Sequence, residues 1–204
     1  MVNYSNEKAG ILMPGYKTST YRIVLMPHLE LRKKLMKVRQ EFAEKYEVRQ
    51  YPRAAFITLA KFDLFAMMEK RIIQKLESIA MTQQPFMVAM KDYGSYPDHS
   101  VFINISNSSR LKILSKEIQA LRPLIKSVNT KPFFIRDFNL QLASGLKPWQ
   151  FEKGWQDYQK RSFTGSFYAN EVLLLKHHGN SPELEILSRF EFRNIPVQVQ
   201  GELF

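Results

Sequence analysis

The sequence predicts an α+β fold of two pseudo-symmetric lobes, each an antiparallel sheet with helices on its outer face. Three observations carry that expectation. A short stretch occurs twice, as Arg53-Ala-Ala-Phe-Ile-Thr-Leu-Ala60 and as Arg136-Asp-Phe-Asn-Leu-Gln-Leu-Ala143, 83 residues apart. Each copy alternates at strand period, with Ile57/Leu59 and Leu140/Leu142 on one face and Phe56/Thr58 and Asn139/Gln141 on the other. Strand-like and helix-like segments interleave along the chain, with hairpin-like returns that favour antiparallel pairing. Two strand–helix units in one chain place a site between two lobes.

In chain order, residues 1–18 lack periodicity, turn at Pro14-Gly15 and read as an N-terminal arm. Residues 20–26 read as a buried strand ended by Pro27. Leu31, Leu35, Val38, Phe42 and Tyr46 then mark one face of a helix, and the basic residues Arg32-Lys33-Lys34, Lys37 and Arg39 are expected on its outer face. The first repeat strand spans 55–60. Asp63 is placed to cap a helix over 64–82 striped by Phe65, Met68, Ile72, Leu76 and Ile79, where methionine at helical spacing is core filling. A strand over 86–90, a turn over 91–97 and a returning strand over 101–105 follow. Ser108 or Ser109 caps a helix marked by Leu111, Leu114, Ile118, Leu121, Ile125 and Val128, which Pro123 kinks or ends. The second repeat strand spans 137–142 and is broken at Gly145, and Pro148 opens the helix carrying Phe151, Trp155 and Tyr158. Closing strands over 166–176 and 183–192 flank a turn, and 193–204 form a tail. The bilobal domain proper is 19–192.

A chain of 204 residues can bury roughly 70% of its unfolded surface in one such domain. With 45% apolar and 24% charged residues it has the composition of a soluble globular protein. No apolar run approaches the roughly 20 residues of a membrane span, and no signal-peptide pattern opens the chain. The absence of cysteine rules out disulfides and thiol catalysis. These features lead us to expect a cytoplasmic, monomeric protein without membrane contact. A formal net charge of +11 favours polyanionic partners, nucleic acid or nucleotide phosphates. The basic residues are dispersed, however, which fits solvated faces equally well, so charge alone does not choose.

Three stretches carry a family resemblance. They are Tyr21-Arg-Ile-Val-Leu-Met-Pro27; Pro85-Phe-Met-Val with Tyr93-Gly-Ser-Tyr-Pro97 and Val101-Phe-Ile-Asn-Ile105; and Phe138 to Trp155 continuing through Phe163-Thr-Gly-Ser-Phe167 and Val172-Leu-Leu-Leu-Lys176. Over roughly residues 20–192 the chain resembles the 2H phosphoesterase superfamily, in particular its 2′,5′ RNA ligase-like branch. The resemblance implies a V-shaped cleft floored by the two repeat strands. It also implies two His-x-Thr/Ser motifs, whose histidines act as general acid and base while the hydroxyls hold a phosphate.

Here those motifs stand as Phe56-Ile57-Thr58 and Asn139-Leu140-Gln141. Proton transfer needs a group that titrates near the working pH, and neither Phe nor Asn does so. Thr58, Asn139 and Gln141 can still hydrogen-bond a phosphate or a base edge. The Phe56 ring can stack on a base, worth about 1–3 kcal/mol. These four are the expected ligand-binding residues, with Lys61, Tyr93 and Tyr96 as candidates for the cleft rim.

The remaining histidines read as bland: His28 as a surface or capping residue, His99 as part of a solvated turn, and His177-His178 as a strand end leading into a turn. Arg53 and Arg136 lie three residues before the motif positions, an odd offset that in extended chain sends them away from the cleft to pair with acidic residues or helix ends at the lobe seams; the alternative is phosphate contact. We expect no metal, cofactor or catalytic residue. The sequence reads as a pseudoenzyme relative of the family that binds a nucleotide or RNA end in a basic cleft. The alternatives are a phosphoesterase using other residues, whether a cyclic phosphodiesterase or RNA ligase-like, and a protein-interaction module that kept only the fold.

Overall fold

A computed structural model describes residues 17–49, 54–125, 131–177 and 184–195. The expectations for Arg53, Val128, His178, the arm up to residue 16 and the tail beyond residue 195 lie outside the described residues. The elements run β1 (Thr18–Leu25), α1 (Leu29–Lys45), β2 (Ile57–Phe65), α2 (Glu69–Thr82), β3 (Phe86–Tyr96), β4 (Ser100–Ile105) and α3 (Ser109–Ile118). They continue with β5 (Phe133–Phe134), β6 (Asn139–Ala143), α4 (Pro148–Tyr158), β7 (Thr164–Ala169), β8 (Glu171–His177) and β9 (Leu184–Glu191).

The expected α+β class holds. One sheet has the order β5-β2-β1-β8-β9 and the other β6-β4-β3-β7, and every pairing is antiparallel. Helices α2 and α3 pack behind the first sheet, α1 and α4 behind the second. Each lobe is therefore a sheet backed by two helices, and each holds one repeat strand. The cores follow from the alternation. β1 is central in its sheet, so Tyr21 and Ile23–Leu25 are all fully buried. In α2 the stripe Ile72, Leu76 and Ile79 closes on that sheet.

Four local expectations are corrected. The first repeat strand does not end at residue 60: β2 runs to Phe65, and Asp63, far from capping a helix, accepts a 2.6 Å hydrogen bond from Thr20 Oγ1 on β1. A short 3-10 turn, Ala66–Met68, separates the strand from α2. Most of the expected 91–97 turn is strand, because β3 continues past a bulge between Met90 and Tyr93 to Tyr96. The single closing strand over 166–176 is two strands: β7 pairs with β3 in one sheet, and after Asn170 β8 pairs with β1 in the other. Finally, Arg39 is 2% exposed and lies on the inner face of α1. It follows Leu35 by four residues, which puts it on the buried stripe.

Two other sequence features take their expected roles. Pro123 ends α3 in a 3-10 stretch, Gln119–Leu124, and Pro148 opens α4. Among the described residues, no helix is long and apolar enough to cross a membrane.

Candidate ligand-binding cleft

The front faces of the two sheets enclose a cleft of about 850 Å³. Phe56, just ahead of β2, and Thr58 within it line one wall, and Asn139 and Gln141 of β6 line the other. The alternation explains why these four point out while Ile57, Leu59, Leu140 and Leu142, at most 1% exposed, point in. Phe56 also rests on a small apolar cluster of Val24, Leu173 and Leu175 on the same sheet face. Asn139 Nδ2 donates to Tyr96 Oη at 3.1 Å, so Tyr96 joins the lining through its hydroxyl. Aromatic rings are dense here: Phe102, Phe133 and Phe134 complete the set, with Tyr96 and Phe102 ring centroids 4.4 Å apart. Gly94 makes room for Phe102, because a Cβ at that position would meet the ring at 2.5 Å.

Two of the expected rim residues lie elsewhere. Tyr93 packs edge-on against Tyr158 at 4.9 Å and against Phe163 at 6.0 Å, behind the sheet. The bulge between Met90 and Tyr93 turns it to the core face, and burial raises its hydroxyl pKa. Lys61 lines a separate groove beyond Phe133.

The cleft also gathers charged residues that the sequence did not single out as ligand contacts. Arg39 reaches it from below: its Nε donates to the Gln141 carbonyl at 2.9 Å and its Nη1 to the Ala54 carbonyl at 2.9 Å. One guanidinium thereby ties β6 to the lead-in of β2. Burial lowers its pKa to about 10, so it stays charged at neutral pH. Arg22 of β1 lines the cleft, with burial lowering its pKa too, and its Nε is buried without a hydrogen-bond partner among the described residues. Arg136 lines the cleft instead of turning away. The chain bends at Arg136 and Asp137 before β6 begins, so the extended-chain offset that sent it outward does not apply. Asp98, hydrogen-bonded by Ser100 Oγ, and Asp137 supply opposing charge. Three arginines against two aspartates make the cleft a set of placed cations, not a strongly positive field.

His177 lines the cleft from the end of β8. Strand parity carried the signal: it lies two residues on from Leu175, which shares the front-face cluster with Phe56. His28 caps α1, its Nδ1 accepting from Leu31 N at 3.3 Å. His99 is half-buried and packed instead of free in a turn: its ring stacks on Phe151 at 5.1 Å, and Nδ1 lies 3.2 Å from the Leu146 carbonyl. Among the described residues no three His, Cys, Asp or Glu side chains cluster as metal ligands.

A family model described as the 2′-5′ RNA ligase superfamily matches residues 27–181. No curated protein matches the chain. Among solved structures, E. coli LigT complexed with 3′-AMP is similar over 86% of this chain and 99% of that chain, at 15% identity and TM-score 0.63. E. coli LigT complexed with phosphate is similar over 86% and 98%, at 14% identity and TM-score 0.59. TT0787 of Thermus thermophilus is similar over 85% and 98%, at 14% identity and TM-score 0.55.

Proposed function

The chain belongs to the 2′-5′ RNA ligase superfamily, and from that premise we propose that its cleft binds a nucleotide or RNA end without the family's acid–base transfer. The observation that carries this reading is the composition of the cleft walls. Hydrogen-bonding Thr58, Asn139 and Gln141, three arginines and a group of aromatic rings converge on one space. That set suits an anionic group joined to a flat one. Thr58 and the amides of Asn139 and Gln141 hold a phosphate, with Arg136 offering charge-assisted donors. Phe56 and its aromatic neighbours take the base by stacking, a sequence-tolerant contact. E. coli LigT is complexed with 3′-AMP in one structure and with phosphate in another, which is compatible with this assignment.

Catalysis by the family route is absent from the proposal for a chemical reason. The positions that match the two motif histidines hold Phe56 and Asn139, and neither side chain can take or give a proton at neutral pH. A second reading has one observation behind it: His177 lines the same cleft, and histidine is the side chain most often used as a general acid or base. In that reading the protein is a phosphoesterase working through His177.

Thermal shift against nucleoside monophosphates and short RNAs tests the first reading. A ligand at 100 times its dissociation constant raises stability by about 2.7 kcal/mol. Phe56→Ala should weaken binding by about 1–3 kcal/mol and Thr58→Val by about 1 kcal/mol, and affinity should fall as salt rises. Binding indifferent to both substitutions would move the site elsewhere. A 2′,3′-cyclic phosphate assay separates the readings: turnover lost in His177→Ala selects the second, and no turnover in the unmodified chain selects the first.

A further inference from the structure

Beyond Phe133 the front face of the five-stranded sheet carries a second groove of about 420 Å³, lined by Thr20, Lys61, Asp63 and Lys131 among others. Phe133, 63% exposed, lines both this groove and the main cleft. The register explains the adjacency. Phe133 pairs with Lys61 and Lys61 with Arg22, so the three side chains form one row across β5, β2 and β1. Arg22 lines the main cleft and Lys61 the groove, so the row crosses the seam between them.

Two features of this row work against the fold alone. Like charges directly opposite on antiparallel strands destabilise a sheet. Arg22 Nε is buried with no acceptor among the described residues, and a buried unpaired donor is costly. The groove's carboxylate, Asp63, already accepts from Thr20 Oγ1 at 2.6 Å. Exposed Lys61 makes no ion pair among the described residues. An anion seated between Arg22 and Lys61 would neutralise the pair and offer Arg22 an acceptor.

We propose that this seam is a second phosphate subsite, so that the ligand carries one phosphate at Thr58, Asn139 and Gln141 and another between Arg22 and Lys61. The inference rests on the nucleotide-binding reading of the main cleft. Phe133 stands beside the second phosphate as a platform for a base, and Lys131 flanks the groove. Two kinds of ligand supply this chemistry: a nucleoside polyphosphate, through its β-phosphate, and a single-stranded oligonucleotide, through its internal phosphodiester.

Calorimetric titration of the full chain with AMP, ADP and the 5′-phosphorylated dinucleotide pApA at low ionic strength tests the proposal. At least one two-phosphate ligand should bind about tenfold more tightly than AMP, a difference of about 1.4 kcal/mol. That gain should vanish in Lys61→Glu and in Arg22→Gln. A gain for ADP identifies the polyphosphate, and a gain for pApA alone identifies the chain. AMP binding with no gain for either ligand overturns the second subsite and leaves the first reading standing. No binding of any of the three overturns both. A gain that survives Lys61→Glu, a change on an exposed side chain that does not threaten folding, puts the second phosphate elsewhere and overturns the proposal.

Discussion

In β2 the inward pair is Ile57 and Leu59, and in β6 it is Leu140 and Leu142, all four essentially buried. The outward pairs have nothing comparable in common. One wall of the cleft presents the Phe56 ring and the Thr58 hydroxyl, the other the two amides of Asn139 and Gln141. The same backbone alternation serves both strands, and packing constrains only one side of each. The inner positions hold two similar lobes together and tolerate only apolar side chains of similar volume. The outer positions face open space, so the two strands differ chemically there although their inner pairs match: the first presents a ring and a hydroxyl, the second two amides.

The most direct test of that equivalence is to empty the inner positions. Leu59→Ala and Leu142→Ala should each cost about 2–5 kcal/mol, because both leucines are fully buried and deletion leaves a cavity. Denaturant unfolding should give a lowered midpoint for each variant at an unchanged slope. If one leucine were dispensable, the two strands would not be equivalent supports.

A smaller effect is expected where the lobes are tied. Arg39 bonds to backbone on both motif segments, at the Gln141 and Ala54 carbonyls. Arg39→Met keeps most of the packing volume and leaves two carbonyls without a charged donor, which should cost about 2 kcal/mol or more. Arg39→Lys should recover only part, since one ammonium cannot reproduce a planar fork. A stable or stabilised Arg39→Met variant would mean that the clasp gives no net support, as happens when some buried ionic groups are replaced by apolar ones.

The placement of Arg39 also shows what could be read in the sequence. Strand alternation and helical stripes gave the lobes, the repeat strands and the outward set Phe56, Thr58, Asn139 and Gln141, because these follow from local period. What local period cannot carry is irregularity. One extra residue near Met90 turned Tyr93 from the rim to the core. A second register shift, between Ile23 and Val24, leaves Leu59 without a partner, so Thr58 and Lys61 share a face although their separation is odd. A bend at Arg136 and Asp137 brought Arg136 into the cleft. Arg39 was legible after all, four residues after Leu35. The surrounding run of lysines and arginines masked its place on the stripe, and only the backbone carbonyls awaiting it explain a buried charge.

The mildest change separates the two repeats at the level of single ionic contacts. The repeat extends to Glu69-Lys70 and Glu152-Lys153, but the two glutamates occupy different places. Glu69 opens α2 and accepts from Tyr21 Oη and from Lys176 Nζ, both at 2.6 Å. Glu152 is exposed within α4 and makes no ion pair among the described residues. Burial pushes the Glu69 carboxyl up, yet the Lys176 and Tyr21 hydrogen bonds and the Lys176 charge outweigh it and leave the pKa lowered. A lowered carboxyl pKa adds stability that is fully present above the unfolded-state value of 4.5 and is lost as pH falls through the folded value. Melting temperature followed from neutral pH into acid should therefore drop less steeply in Glu69→Gln than in the unmodified chain. The Glu69→Gln variant should start lower at neutral pH, and the two curves should converge on the acid side. Glu152→Gln, which breaks no ion pair among the described residues, should leave the melting temperature at neutral pH unchanged. A Glu69→Gln curve running parallel to the unmodified one, or an equal change from Glu152→Gln, would show that the contacts with Tyr21 and Lys176 do not distinguish the two repeats.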